Sequence, residues 1–158
     1  MNIIIFGPPG AGKGTQSSYI VSKYNLKQLS TGDLLRAEII NKTEIGKKIS
    51  EIINRGNLVS DSIVAKLVEN IISNEKHKNQ IIFDGYPRNL NQVNDLNELL
   101  KKYKQKIDLV LNLKVSLDIV KKRISGRSIC SKCGKIYNKF YKPAPINSNC
   151  CSEKFLKK

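Results

Sequence analysis

Three groups of residues in this chain have types and spacings that could do chemistry. The first is Gly7-Pro8-Pro9-Gly10-Ala11-Gly12-Lys13-Gly14-Thr15, placed directly after the apolar run Ile3-Ile4-Ile5-Phe6. Glycines let successive backbone N–H groups turn inward around an anion. A helix opening at the end of such a loop adds its own N-terminal N–H groups and the positive end of its dipole. Lys13 brings a full charge for the β- and γ-phosphates of a nucleotide. The pattern G-x-x-x-x-G-K-[ST] is met from Gly7 to Lys13 and then missed by one residue: Gly14 takes the hydroxyl position and Thr15 follows. A glycine-rich turn with no ligand is the plainer reading, and a lysine in register between strand and helix argues against it. The second group is Asp84, which ends the apolar run Ile81-Ile82-Phe83. An acid there can hold Mg²⁺ directly or through water, or can simply cap a turn. The third group is four cysteines confined to residues 130–151. Cys130-Ser131-Lys132-Cys133 has the spacing of a zinc half-site. A disulfide-stapled secreted domain spreads its cysteines more widely and carries an export signal, so clustering favours a metal.

The elements around these groups alternate. Residues 3–6 read as a buried parallel strand, and 13 to about 24 as the helix after the loop. Residues 26–30 form a short second strand, and Ser30 or Thr31 caps the helix that follows. Gly46 and Gly56 punctuate the next stretch, with residues 49–54 helical between them. Residues 61–73 carry the clearest helical period: Ile63, Val64, Leu67, Val68, Ile71 and Ile72 make one apolar face, with Ser60 or Asp61 as cap. A third strand at 80–84, a helix from Asn89 to Tyr103, a fourth strand at 107–113 and a helix at 116–124 complete the pattern. From Arg127 the texture changes to cysteines, tyrosines, prolines and lysines, as expected of a small, separately organised insert. Alternating strands and helices predict an α/β fold with a parallel sheet, helices on both faces, and a ligand at the carboxyl ends of the strands.

The chain has 158 residues, 28 Lys and Arg against 13 Asp and Glu, and no apolar run near the length of a membrane span. This predicts a cytoplasmic protein without membrane attachment. The charge is lopsided. Residues 1–100 hold 12 basic and 10 acidic residues, and 101–158 hold 16 and 3. Such asymmetry can mean a nucleic-acid face, a site for phosphate-rich small molecules or a lost acidic segment, and a solvated lysine-rich surface explains most of these lysines. No Arg/Gly-rich or aromatic-interleaved stretch favours RNA, so no nucleic-acid partner is expected. His77, the one histidine, lies in a lysine-rich stretch and reads as surface.

Taken in order, GPPGAGKGT, STGDLLR (30–36), GNLVSD (56–61), FDGYPRN (83–89) with Gln92, RISGR (123–127) and CSKCGKIYN (130–138) resemble the adenylate kinase family over the whole chain. The resemblance implies a P-loop core at 1–29 and 60–126, an AMP-binding helical insert at 30–59, and a zinc-ribbon-like lid from 127 to 158. It implies reversible transfer of the γ-phosphoryl group of Mg-ATP to AMP, by a monomer. Gly10, Ala11, Gly12, Lys13, Gly14 and Thr15 would wrap the ATP phosphates. Asp84 would support Mg²⁺. Arg123 and Arg127, four apart and near one helical face, would reach the same phosphates; the plainer reading is two exposed arginines. Ile136 and Tyr137 match the family's contact with the nucleotide from the lid. On the AMP side the resemblance implies Thr31 and Arg36, then Asn57, Leu58 and Val59 around base and ribose. Gly85, Tyr86, Pro87 and Arg88 would pass the α-phosphate, Arg88 as a clamp, and the Gln92 amide would pair with the adenine edge. Closure of the insert and the lid would exclude water from the transfer.

The family's zinc-bearing lids run C-x2-C-x16-C-x2 and then a further ligand. Carried over, this implies a structural zinc on Cys130, Cys133, Cys150 and Glu153. Adjacent cysteines rarely chelate one tetrahedral ion without strain, so Glu153 is preferred to Cys151; the alternatives are Cys151 as fourth ligand, or an empty site. The family pattern continues beyond residue 158 with more of the lid, a further strand and a last helix. The expectation is therefore that this chain is an incomplete form, with the fourth strand an open apolar edge. Two other functions remain open at this point: a UMP/CMP or GMP kinase of the same fold, and a non-catalytic module binding zinc and polyanions.

Overall fold

The computed structural model describes residues 1–55, 57, 59–146 and 149–157, the side chain of Glu153 excepted. Gly56, expected as punctuation, lies outside the described residues. Packing divides the chain into two units: Met1–Phe6 with Lys13–Asn112, and Gly7–Gly12 with Leu113–Lys158.

The first unit is built on a parallel sheet. Its strands are β1 (Ile3–Phe6), β2 (Lys27–Ser30), β3 (Ile81–Asp84) and β4 (Leu109–Asn112), in the order β2-β3-β1-β4. Parallel neighbours need crossovers, and helices supply them. These are α1 (Lys13–Tyr24) after β1, then α2 (Thr31–Ile40), α3 (Glu44–Asn54) and α4 (Asp61–Ile72) after β2, and α5 (Leu90–Lys102) after β3. The register sets Ile4 and Leu29 beside Phe83. These residues and Ile81 share one core with Val64, Val68 and Ile72 of α4 and Leu96 and Leu100 of α5. Ile3, Ile5 and Ile82, equally buried, alternate onto the other face of the pleat. Helix α1 packs on β1, β2 and β3 outside that core, so both faces of these three strands are covered, while the edge strand β4 leaves Leu109 and Val110 exposed.

One boundary differs from the sequence reading. Gly46 does not punctuate; α3 begins at Glu44 and runs through it. A Cβ at Gly46 would fall 2.0 Å from the Glu38 carbonyl oxygen, so glycine is there to let α3 cross α2 at backbone contact. Thr43 secures the start of α3, its Oγ1 accepting from Gly46 N at 2.9 Å.

The amino ends of the strands are fastened by a buried side chain. Asn2 Oδ1 accepts from Ile81 N at 3.0 Å, and Asn2 Nδ2 donates to Lys106 O at 2.9 Å and Gln105 Oε1 at 3.2 Å. The Gln105 amide reaches on to Ile72 O at 2.8 Å. With that end closed, the carboxyl ends of β2 and β3 are left to the polar residues described next.

The second unit contains α6 (Leu117–Ser125) and a small antiparallel ribbon. The ribbon strands are β5 (Arg127–Cys130), β6 (Ile136–Asn138) and β7 (Leu156–Lys157), in the order β6-β5-β7, with a 3₁₀ turn at Glu153–Phe155 before the last. Among the described residues, no helix is long and apolar enough to cross a membrane.

Candidate functional site

In the first unit, polar residues gather where β2 and β3 end. Ser30 caps α2 with its side chain accepting from Asp33 N, which sets Thr31 at the first turn and buries it. Thr31 Oγ1 donates to Gly85 O at 3.1 Å. Arg88 Nε donates to the same carbonyl at 2.6 Å, and Arg88 Nη2 lies 3.4 Å from Thr31 Oγ1. The Arg88 guanidinium is otherwise exposed, as a clamp for an arriving anion has to be. Tyr86 and Pro87, joined by a cis peptide bond, are buried behind it. Arg36, one turn along α2, pairs with Asp33 at 2.5 Å.

Gln92 is turned inward. Its Oε1 accepts from Arg88 N at 2.8 Å and its Nε2 donates to Asp61 Oδ1 at 2.5 Å. Both ends of the amide are thus engaged by protein, and pairing with a base would exchange these bonds. Asn57 is exposed and Val59 packs against the core; Leu58 lies outside the described residues.

Asp84 stands one residue before Gly85. Its Oδ2 accepts from Gln28 Nε2 at 3.0 Å. Partial burial pushes its carboxyl up, against the Gln28 hydrogen bond and the charges of Lys13 and Arg88, with Asp33 adding to the rise. Gly14 lies close, since a Cβ there would be 3.7 Å from Asp84 Oδ2. Lys13 opens α1, and Thr15 sits exposed on its first turn. A hard carboxylate oxygen held in place within reach of the Lys13 charge suits Mg²⁺ and its hydration shell.

The loop Gly7–Gly12 is described with the second unit. Gly10 and Gly12 have φ of 79° and 97°, a region closed to most side chains. Ala11 N donates to Pro8 O at 3.0 Å, and Arg123 Nη1 donates to Ala11 O at 2.8 Å and Gly10 O at 3.3 Å. Arg123 therefore lies on the loop. Arg127 does not share its helical face, contrary to the sequence reading. Gly126 ends α6, Arg127 begins β5, and the residue opposite Arg127 in the ladder is Asn138. Ile136 is exposed on β6, and Tyr137 is half-buried with its hydroxyl held by Cys151, which pushes the phenol up to about 12.

Four thiols meet in the ribbon. The Sγ atoms of Cys130, Cys133, Cys150 and Cys151 all lie within 4.8 Å of one another, with Cys133 and Cys151 at 3.3 Å. Zinc–sulfur bonds of about 2.3 Å in a tetrahedron put sulfurs about 3.8 Å apart, so the quartet has the size of a zinc site. The thiols share hydrogen bonds, which draw Cys151 down to about 7, first through the Tyr137 hydroxyl and then through Cys133, and push Cys150 up to about 12, first through Cys133. Sequence reasoning set Cys151 aside. The structure brings it into the cluster, because the tight turn after Asn149 folds both adjacent cysteines toward the Cys130–Cys133 knuckle. The Glu153 side chain, expected as the fourth ligand, lies outside the described residues. Sequence reasoning also passed over Gln28, which stands in no motif, and Asn138, which closes the CSKCGKIYN stretch without a role assigned to it; strand pairing brings out both.

A parallel sheet whose first strand runs into a glycine-rich loop and then a helix opening on lysine is the P-loop α/β architecture of nucleotide-handling proteins. The family model described as adenylate kinase matches residues 5–154. The adenylate kinase of Pelagibacter ubique is 48% identical over 158 residues, all of this chain and 74% of that protein. Those of Fervidobacterium nodosum and Thermosipho africanus are 45% and 41% identical over 150 residues, 95% of this chain and 69% and 70% of theirs. The chain belongs to the adenylate kinase family.

Proposed function

We propose that this chain carries the family's reaction on the residues assembled above: ATP and AMP give two ADP. Membership of the family makes it a phosphotransferase of nucleoside monophosphates. The observation that carries the residue-level reading is the meeting of Thr31, Gly85 and Arg88 beside Asp84 where β2 and β3 end. Phosphoryl transfer asks for two phosphate-bearing ligands in line, neutralised charge and no water, rather than covalent help.

Arg88 clamps the AMP α-phosphate, and Thr31 and Gly85 hold Arg88 ready for it. Arg36 joins Thr31 on the first AMP-binding helix, Asn57, Leu58 and Val59 line base and ribose, and the Gln92 amide gives up Arg88 N and Asp61 to read adenine. Gly10 to Thr15 take the ATP phosphates, with Lys13 and Arg123 as main charges and Arg127, Ile136 and Tyr137 beside the nucleotide. Mg²⁺, held through Asp84, would neutralise charge on the transferred group. The half-buried Asp84 carboxyl with one oxygen tied to Gln28 supports that role. Zinc, on the four cysteines, would staple a ribbon that has little core of its own. Both substrate sites draw on one chain, which supports a monomer, and the substrates are those of the cytoplasm.

Lys13→Met abolishes ADP formation in a coupled assay while leaving the circular-dichroism spectrum unchanged. AMP turns over far faster than UMP or GMP. Phosphotransfer retained by the Lys13→Met protein would sink the assignment, and a preference for UMP or GMP would move it to another member of the same class.

A further inference from the structure

We infer that Asn138 is the residue through which the ribbon positions Arg123, and so tunes the affinity for ATP; this rests on reading the loop and Arg123 as the ATP phosphate site. All of the residues involved belong to the second unit. Helix α6 ends at Ser125, and the last carbonyls of a helix have no partner within it. The Asn138 side chain supplies one: its Nδ2 donates to Arg123 O at 2.8 Å. The other end of the same amide folds the chain after β6. Asn138 Oδ1 accepts from Phe140 N at 2.9 Å and from Tyr141 N at 3.3 Å. That turn brings the Tyr141 ring to 5.6 Å from Arg123 Cζ, within cation–π range.

Arg123 is therefore held at three points. The loop carbonyls take Nη1, the Tyr141 ring lies over the guanidinium, and Asn138 holds its backbone; Asn138 provides the last two. The joint is tight. Asn138 and Lys142 exchange backbone hydrogen bonds at 2.8 Å each, and Lys139 N donates to Gly126 O at 2.9 Å. A Cβ on Gly126 would sit 2.6 Å from Phe140 Cδ2 and 2.8 Å from Asn138 Oδ1. A primary amide suits the position because it donates to a carbonyl and accepts from two N–H groups at once. Aspartate keeps only the accepting half, and alanine keeps neither. A long arginine side chain placed before the ligand arrives loses less freedom when it binds. The AMP residues lie in the first unit, so the effect falls on ATP alone.

The test is calorimetric titration of ATP and of AMP, separately, into the parent protein, Asn138→Ala, Asn138→Asp, Arg123→Met and the Arg123→Met/Asn138→Ala double variant. Loss of the positioning bond raises the ATP dissociation constant roughly tenfold in both Asn138 variants. The AMP constant stays within about twofold, and the Asn138→Ala effect shrinks to under about twofold once Arg123 is methionine. A purely structural Asn138 gives the same loss in both backgrounds, or an equal loss of AMP affinity; either result overturns the inference. A parent protein that binds AMP but not ATP overturns the reading of the loop itself, and the inference falls with it. Asn138→Asp retains two of the three side-chain bonds, so the comparison stands even where Asn138→Ala does not fold.

Discussion

At Asp84 two demands oppose each other. Coordination chemistry asks for an ionised carboxylate, while partial burial favours the neutral acid; Gln28, Lys13 and Arg88 pull back toward the ion. The folded protein therefore binds this proton more tightly than the unfolded chain does. Above the unfolded-state value of Asp, about 3.9, ionisation works against folding, and below it the penalty is absent. The neutral isostere escapes the penalty and can still accept from Gln28. Asp84→Asn accordingly melts higher than the parent at pH 7, and the gap narrows as pH falls toward 4. The same variant loses Mg-dependent turnover. Thermal melts across pH decide the matter: a variant that melts lower at neutral pH would show that Asp84 is a net stabilising ion, and burial would not be its governing influence. Gln92 shows a comparable tension, since an amide already bonded to Arg88 N and Asp61 is pre-placed for a ligand and also competes with it.

Among the elements, the long apolar period of α4 and the unbroken apolar strands β1 and β3 were legible in the sequence. Period 3.6 and short buried runs leave little choice once a parallel sheet is assumed. Features that depend on what lies across from a residue were not legible. Helix α3 runs through Gly46, although glycine is a poor helix former, because backbone contact with α2 outweighs a propensity of about 1 kcal/mol. Arg127 leaves the helical face of Arg123, because the helix ends at the Gly126 cap and Arg127 pairs with Asn138 as the first residue of a strand. The ribbon strands have only two to four residues each, too short for any period to register. The phosphate loop was legible because its chemistry is local in the chain. Asn138 was not, because its three side-chain bonds lie at a turn that only the folded ribbon makes. From the α2–α3 crossing follows a sharp expectation. Gly46→Ala drives a methyl group into the Glu38 carbonyl and lowers stability by at least about 2 kcal/mol, with weaker AMP binding because α2 carries Thr31 and Arg36. Urea melts read the first effect and AMP titration the second; an unchanged midpoint would mean that the two helices can slide apart freely.

For the molecule as a whole, the division into two units predicts uneven dependence on metal. The first unit has a continuous apolar core, whereas the ribbon of the second gathers four cysteines that a metal ion would tie together. One zinc per chain is expected. Strong chelation removes amide-exchange protection across 127–157 and leaves β1 to β4 protected. Cys151→Ser and Cys130→Ser abolish the bound zinc, while Glu153→Ala keeps it; elemental analysis of protein purified without chelator checks the count. Zinc retained by Cys151→Ser would return the fourth place to another ligand. The contact between Cys133 and Cys151, 3.3 Å from sulfur to sulfur, has one more consequence. A disulfide needs about 2.05 Å between sulfurs, a short step from a pair already in contact. Bound zinc would shield this pair from air. A preparation stripped of metal and left without reductant would crosslink internally, and added zinc would then fail to restore it. Storage history, as much as sequence, would then govern what a given sample can do.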